Sequence, residues 1–140
     1  MSDSIHYEYQ VSAVDFTRAG EASSDIKSKL KRMGVAPEAI RKVAIAMYEG
    51  EINMVIHANG GKIFVDIRPN QVEMQLKDNG PGIPNIDQAM QEGFSTAPEQ
   101  ILSLGFGAGM GLPNMRNNTD EMHIDSTLGM GTTVTMRVNF

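Results

Sequence analysis

Four short motifs follow one another along the chain, and each carries residue types suited to phosphate or base chemistry. They are Glu49-Gly-Glu-Ile-Asn53-Met-Val-Ile-His57, Asp78-Asn-Gly-Pro-Gly-Ile83, Gly105-Phe-Gly-Ala-Gly-Met-Gly-Leu112 and Gly129-Met-Gly-Thr-Thr133. The first sets a carboxylate, a carboxamide and an imidazole at i, i+4 and i+8. A carboxamide oxygen can ligate Mg²⁺, an ion that keeps several waters and shares substrate phosphates. A carboxylate one turn away can orient or deprotonate a hydroxyl or water. In the second motif, Asp78 can accept from the amine of a base, while Gly80 and Gly82 let the backbone pass close to its ring. Gly105, Gly107, Gly109 and Gly111 offer a series of N–H donors to phosphate, and Thr132 can reach a base through water.

Each motif alone has a plainer reading. Glu49, Asn53 and His57 would suit a solvated helix face, Asp-Asn-Gly-Pro-Gly-Ile a turn, and the threonines an ordinary strand. The alternating glycines are harder to read as a turn. They are not a Walker A loop, because no Gly-Lys-Ser/Thr follows, and Met110 spoils a Gly-x-Gly-x-x-Gly register begun at Gly105. The order of all four describes a nucleotide site.

The elements that must position these residues follow from periodicity. Ile5, Tyr7, Tyr9 and Val11 alternate with polar residues as a first strand. Phe16, Ala19, Ala22, Ile26 and Leu30 recur at helical spacing over Phe16 to Met33, with Gly34 as a stop. Pro37 opens a second helix running to His57 before Asn59-Gly60-Gly61, with Ile40, Val43, Ala44, Met47 and Ile56 as its apolar stripe. Ala46, Glu49, Gly50, Asn53 and His57 form a small, polar face roughly opposite. Gly50 costs about 1 kcal/mol against Ala in a helix interior, so close approach of a ligand is one candidate reason for it.

Lys62 to Arg68 and Gln71 to Lys77 make a hairpin around Pro69-Asn70, with the Asp78 motif at its exit. A short helix near Ile86 to Gln91 and the stretch Ser95-Thr96-Ala97-Pro98 lead to the glycine run. A helix over Gly111 to Asn118 follows, then strands Met122 to Ser126 and Thr132 to Val138. That order predicts an α+β sandwich, with helices on one face of a mixed, largely antiparallel sheet.

The 140 residues fit one domain, 1–140, with one core. Twelve basic against 17 acidic side chains leave a net charge of −5, which argues against nucleic acid or an anionic membrane as partner. With no cysteine there is no disulfide, thiol nucleophile or Cys-ligated zinc. No apolar stretch approaches the ~20 residues of a membrane span, and no signal pattern opens the chain, so a cytoplasmic protein is expected. Eleven methionines and no tryptophan suggest an adaptable core rather than a contact surface. His6 and His123 read as surface or edge histidines, and neither a zinc site nor a hydrolase elbow is apparent.

Together, the four motifs resemble the N, G1, G2 and G3 boxes of the Bergerat-fold ATPases, the superfamily of gyrase, histidine kinases and MutL, over nearly the whole chain. More narrowly, they are similar to the stand-alone serine/threonine kinases of bacterial partner-switching systems, which include anti-sigma factors and the stressosome switch kinase. The resemblance implies ATP and Mg²⁺ as ligands, with Asn53 on the metal, Glu49 as catalytic base and Asp78 on the adenine amino group. Gly80, Gly82 and Thr132 would complete the base pocket, and Gly107, Gly109 and Gly111 would lie near the phosphates. His57, Ile83, Met110 and Leu112 fall within the matched motifs and join the nucleotide-binding set. Met110 replaces a usual Leu. Glu51 adds a second acid that could compete with Glu49, although its helical angle points it away from Asn53.

The implied substrate is a serine or threonine on a STAS-domain antagonist protein, with a sigma factor or a PP2C-type phosphatase as further partners. A homodimer through the first strand and helix is an analogy from the fold alone. The alternative function is a regulatory module in which nucleotide orders a surface that sequesters a sigma factor or activates a phosphatase without catalysis. A detached histidine-kinase or topology-ATPase domain is a weaker fit, since no phospho-acceptor dimerisation helix or second transducer domain is expected.

Overall fold

Apolar residues at alternate positions build one buried face of a sheet, and the helices lie on that face. The computed structural model describes residues 4–12, 20–57, 60–80, 82, 90 and 111–140, with the side chains of 56, 57 and 111 excepted. Its elements are β1 (Ile5–Val11), α1 (Glu21–Arg32), α2 (Pro37–His57), β2 (Gly61–Arg68), β3 (Gln71–Asp78), α3 (Gly111–Asn117), β4 (Glu121–Thr127) and β5 (Gly131–Asn139). The strand order is β1-β2-β3-β5-β4, and every described pairing is antiparallel, in line with the mixed, largely antiparallel sheet expected from sequence.

β3 is central, and its buried residues Val72, Met74 and Leu76 alternate with Gln71, Glu73 and Gln75 on the outer face. Ile63, Val65 and Ile67 of β2 and Val134, Met136 and Val138 of β5 extend the same layer. Against it lie Ala22, Ile26 and Leu30 of α1 and Ile40, Val43, Ala46 and Met47 of α2. Met47, Met54, Met74, Met115 and Met136 are all buried, which agrees with methionine as core filler. The outer face is tied by charge. Arg137 donates to Glu121 at 2.8 Å and to Glu73 at 3.1 Å, and His6 contacts Asp66 across the β1–β2 pair at 2.8 Å.

α1 begins later than the periodicity suggests, at Glu21, because Gly20 stands before it at φ 98°. Residues 13–19, including Phe16 and Ala19, lie outside the described set. Gly34, at φ 78°, ends the helix as expected, with Val35 N–H returning to the Leu30 carbonyl. α2 packs against α1, α3 and the sheet. Burial therefore runs round more of it than one stripe. Ala46 and Gly50, read from sequence as part of a polar face, are both buried.

Candidate functional site

Glu49 and Glu51 of α2 separate cleanly. Glu51 is 3 % exposed, and its carboxylate accepts backbone N–H groups of Gly20 at 2.9 Å, Ala22 at 3.3 Å and Ser23 at 3.2 Å. It thus satisfies the opening turn of α1, whose own Gly20 has no side chain to do so. Burial pushes the Glu51 carboxyl above its ordinary value, with the three N–H donors opposing. Glu49 lies about 200° from it round the helix. It is half-buried and accepts from the Asn114 carboxamide of α3 at 3.3 Å. Asn53, one turn on from Glu49, is also half-buried, and no hydrogen bond among the described residues holds its side chain.

Gly50 sits between Glu49 and Asn53, and its surroundings explain it without a ligand. A Cβ there would lie 2.3 Å from Leu76 Cδ2 and 3.2 Å from Met115 Sδ. The close approach is between α2, β3 and α3, which corrects the ligand-approach reading. It also sets the geometry, because Leu76 is two residues before Asp78 and Met115 adjoins Asn114. A second contact agrees. A Cβ on Gly61 would lie 2.7 Å from Met54 Cε and 2.9 Å from Asp78 Cα, so the residue after Asn53 reaches the end of β3.

At that end Asp78 Oδ1 accepts N–H groups from Gly80 at 2.9 Å and from Thr132 at 3.1 Å. Its other oxygen takes no bond among the described residues. Thr132 is 7 % exposed, and its hydroxyl lies 2.9 Å from that of Ser126. Two glycines allow the strands to close on this carboxylate. A Cβ on Gly131 would lie 2.1 Å from the Asp78 carbonyl oxygen, and Gly82, at φ 81°, packs on the Thr127–Leu128 backbone. The neighbour of Gly82 is therefore the β4–β5 turn, where a ligand ring had been considered.

Of the residues singled out from sequence, Glu49, Asn53, Asp78, Gly80, Gly82, Leu112 and Thr132 are described. Gly111 is the first residue of α3, and His57 ends α2 with its side chain undescribed. Ile83, Gly107, Gly109 and Met110, with all of the helix expected near 86–91 except Met90, lie outside the described residues. Sequence reasoning missed Asn114 and the capping role of Glu51. An Asn of poor helix propensity just after Pro113 was the available signal for the first; nothing local signals the second, whose donors are 28 to 31 residues away.

Nucleotide and magnesium fit this donor set. A carboxylate fixed through one oxygen leaves the other to accept from an amine, and a half-buried carboxamide beside a carboxylate offers neutral oxygen to a hard cation. Among the described residues no group of three or more His, Cys, Asp or Glu could hold a metal ion. No helix among them is long and apolar enough to cross a membrane.

Residues 38–140 match the profile of the histidine kinase-, DNA gyrase B- and HSP90-like ATPases. An anti-sigma F factor of Caldanaerobacter subterraneus subsp. tengcongensis is 36 % identical over 104 residues, covering 71 % of this chain and 69 % of that one. The anti-sigma F factor of Geobacillus stearothermophilus is 30 % identical over 128 residues, covering 91 % and 80 %. The serine/threonine-protein kinase RsbT of Bacillus subtilis is 31 % identical over 108 residues, covering 74 % and 75 %. A crystal structure of the RsbU and RsbW domains of a Mycobacterium tuberculosis protein superposes with a TM-score of 0.65 at 16 % identity, over 96 % of this chain and 32 % of that one. That last likeness is one of fold.

Proposed function

Because the chain belongs to the histidine kinase-, DNA gyrase B- and HSP90-like ATPase family, we propose that it is a cytoplasmic, single-domain serine/threonine kinase of a partner-switching system, phosphorylating a STAS-domain antagonist protein with MgATP. The observation that carries this reading is the division of labour on α2. Glu51 is consumed by the start of α1, whereas Glu49 is half-buried, one turn from Asn53 and oriented by a neutral donor.

Glu49 accepts the proton of the substrate hydroxyl as its oxygen bonds to the γ-phosphorus and the bond to the ADP oxygen breaks. The Asn53 carboxamide oxygen would be the protein ligand for magnesium, and Asp78 would accept from the adenine amino group, with Thr132 beside it. Magnesium, when bound, supplies neutralisation of the phosphate charge. Gly80 and Gly82 belong to the base side of the site, Gly82 through its packing on the β4–β5 turn, and Gly107, Gly109 and Gly111 to the phosphate side; His57, Ile83, Met110 and Leu112 join the nucleotide-binding set.

The test is transfer of labelled γ-phosphate to a panel of STAS-domain proteins. Glu49→Gln is expected to lower kcat by about 10²-fold or more while MgATP binding stays within about twofold. Transfer at the wild-type rate would remove Glu49 from the role of base. The names of the anti-sigma F factor relatives favour a second reading, in which nucleotide gates a surface that sequesters a sigma factor; activation of a PP2C-type phosphatase by the same surface is its variant. A partner complex that forms only with nucleotide, in a protein that transfers no phosphate, would select it.

A further inference from the structure

Asn114 is an unexpected residue in its place. Asn disfavours helix interiors by roughly 0.6 kcal/mol against Ala, yet it sits in the middle of the seven-residue α3. Its neighbours fix it. Pro113 is fully buried and Met115 is 1 % exposed, lying against Gly50. The Asn114 carbonyl accepts from Asn118 through both the backbone N–H at 3.2 Å and the side-chain amide at 2.8 Å, which closes the helix behind it. From this held position its amide donates to Glu49 Oε1 across 65 residues of sequence.

We infer that Asn114 is the positioning residue for Glu49, linking the orientation of that carboxylate to the helix that follows the glycine run; this rests on the kinase reading above. A carboxamide suits the task. It fixes one carboxylate oxygen through a neutral N–H and leaves the other to meet a hydroxyl, whereas Lys or Arg would add a positive charge beside a group that must accept a proton. Asn114 is three residues beyond Gly111, so less than one helical turn separates the last glycine of the phosphate motif from the contact on the base. The two are joined by a single short helix anchored by the buried Pro113 and Met115.

The experiment compares Asn114→Ala and Asn114→Asp with wild type in phosphotransfer and MgATP titration, and follows the Asn114 side-chain amide by NMR in nucleotide-free wild-type and Glu49→Gln protein. The amide pair is identified by its loss in Asn114→Ala. Expected are a fall in kcat of about tenfold for Ala and more for Asp, which adds repulsion to the lost bond, with MgATP affinity within about twofold. The amide resonances shift on Glu49→Gln. Unchanged kcat in both variants of an active protein overturns the inference, as does an amide pair indifferent to Glu49→Gln. A wild-type protein that transfers no phosphate overturns the kinase reading instead; the NMR shift then decides the Asn114–Glu49 contact by itself. Ala favours helix, so that variant folds even if Asp does not.

Discussion

Replacing Glu51 by Ala removes the acceptor of three backbone N–H groups at the start of α1. Two of them, on Ala22 and Ser23, belong to buried residues and gain no ready access to water. A buried donor left without a partner costs about 1–3 kcal/mol, giving about 2–6 kcal/mol for the pair. Part is returned, because the variant no longer buries a carboxylate whose desolvation outweighs its hydrogen bonds. We expect Glu51→Ala to lose about 2–4 kcal/mol and Glu51→Gln, which keeps one acceptor oxygen, about 1–2 kcal/mol. Urea unfolding reads both losses as shifted midpoints with unchanged slope. Hydrogen exchange locates them, with the Ala22 and Ser23 amides losing protection first.

The sign of the pH dependence follows from the raised carboxyl value. The folded chain binds this proton more tightly than the unfolded chain does, so stability falls as pH rises from about 4 through the raised value. Gln cannot titrate, so the margin of wild type over Glu51→Gln narrows across that window. A Glu51→Ala protein within 0.5 kcal/mol of wild type, on the scale of an ordinary surface substitution, would refute the capping argument. So would a margin that widens with pH.

Three further outcomes are expected. Gly131→Ala forces a Cβ to within 2.1 Å of the Asp78 carbonyl oxygen and parts β3 from β5, costing about 3 kcal/mol or more and weakening nucleotide binding. Gly129→Ala, at φ 79° with nothing within 4 Å, costs only about 1–2 kcal/mol; equal losses in thermal unfolding would contradict this. The His6 imidazole is raised by its bonds to Asp66 and Glu8, so its contribution to the β1–β2 pair is full below about 6.5 and is lost as pH rises through the raised value. An NMR titration midpoint at or below 6.5 would count against it.

Much of this architecture was legible because periodicity and burial coincide. β1 and α2 run between the residues expected, and the β2–β3 turn falls at Pro69-Asn70, since alternation and Pro or Gly punctuation act locally. The wide burial of α2 was not legible. A helix with neighbours on several sides buries small residues such as Ala46 and Gly50 that sequence assigns to a separate face. Glu51 was placed away from Asn53 by helical angle alone, but its partners lie on another helix. Likewise the site's residue types were readable, while the packing of Gly50, Gly61 and Gly131 against other strands and side chains was not. Those glycines answer to long-range contacts, which leave no local pattern.

The bond from Thr132 N–H to Asp78 spans 54 residues, and with it comes an order of assembly. Closing a loop of that length costs on the order of 3.5 kcal/mol in chain entropy before any contact repays it. The β2–β3 and β4–β5 hairpins can each form locally; β3 against β5 cannot. The adenine side of the proposed site is thus absent from every partly folded chain in which β5 has not yet docked on β3. Nucleotide bound at the proposed site would stabilise only molecules that have made this pairing.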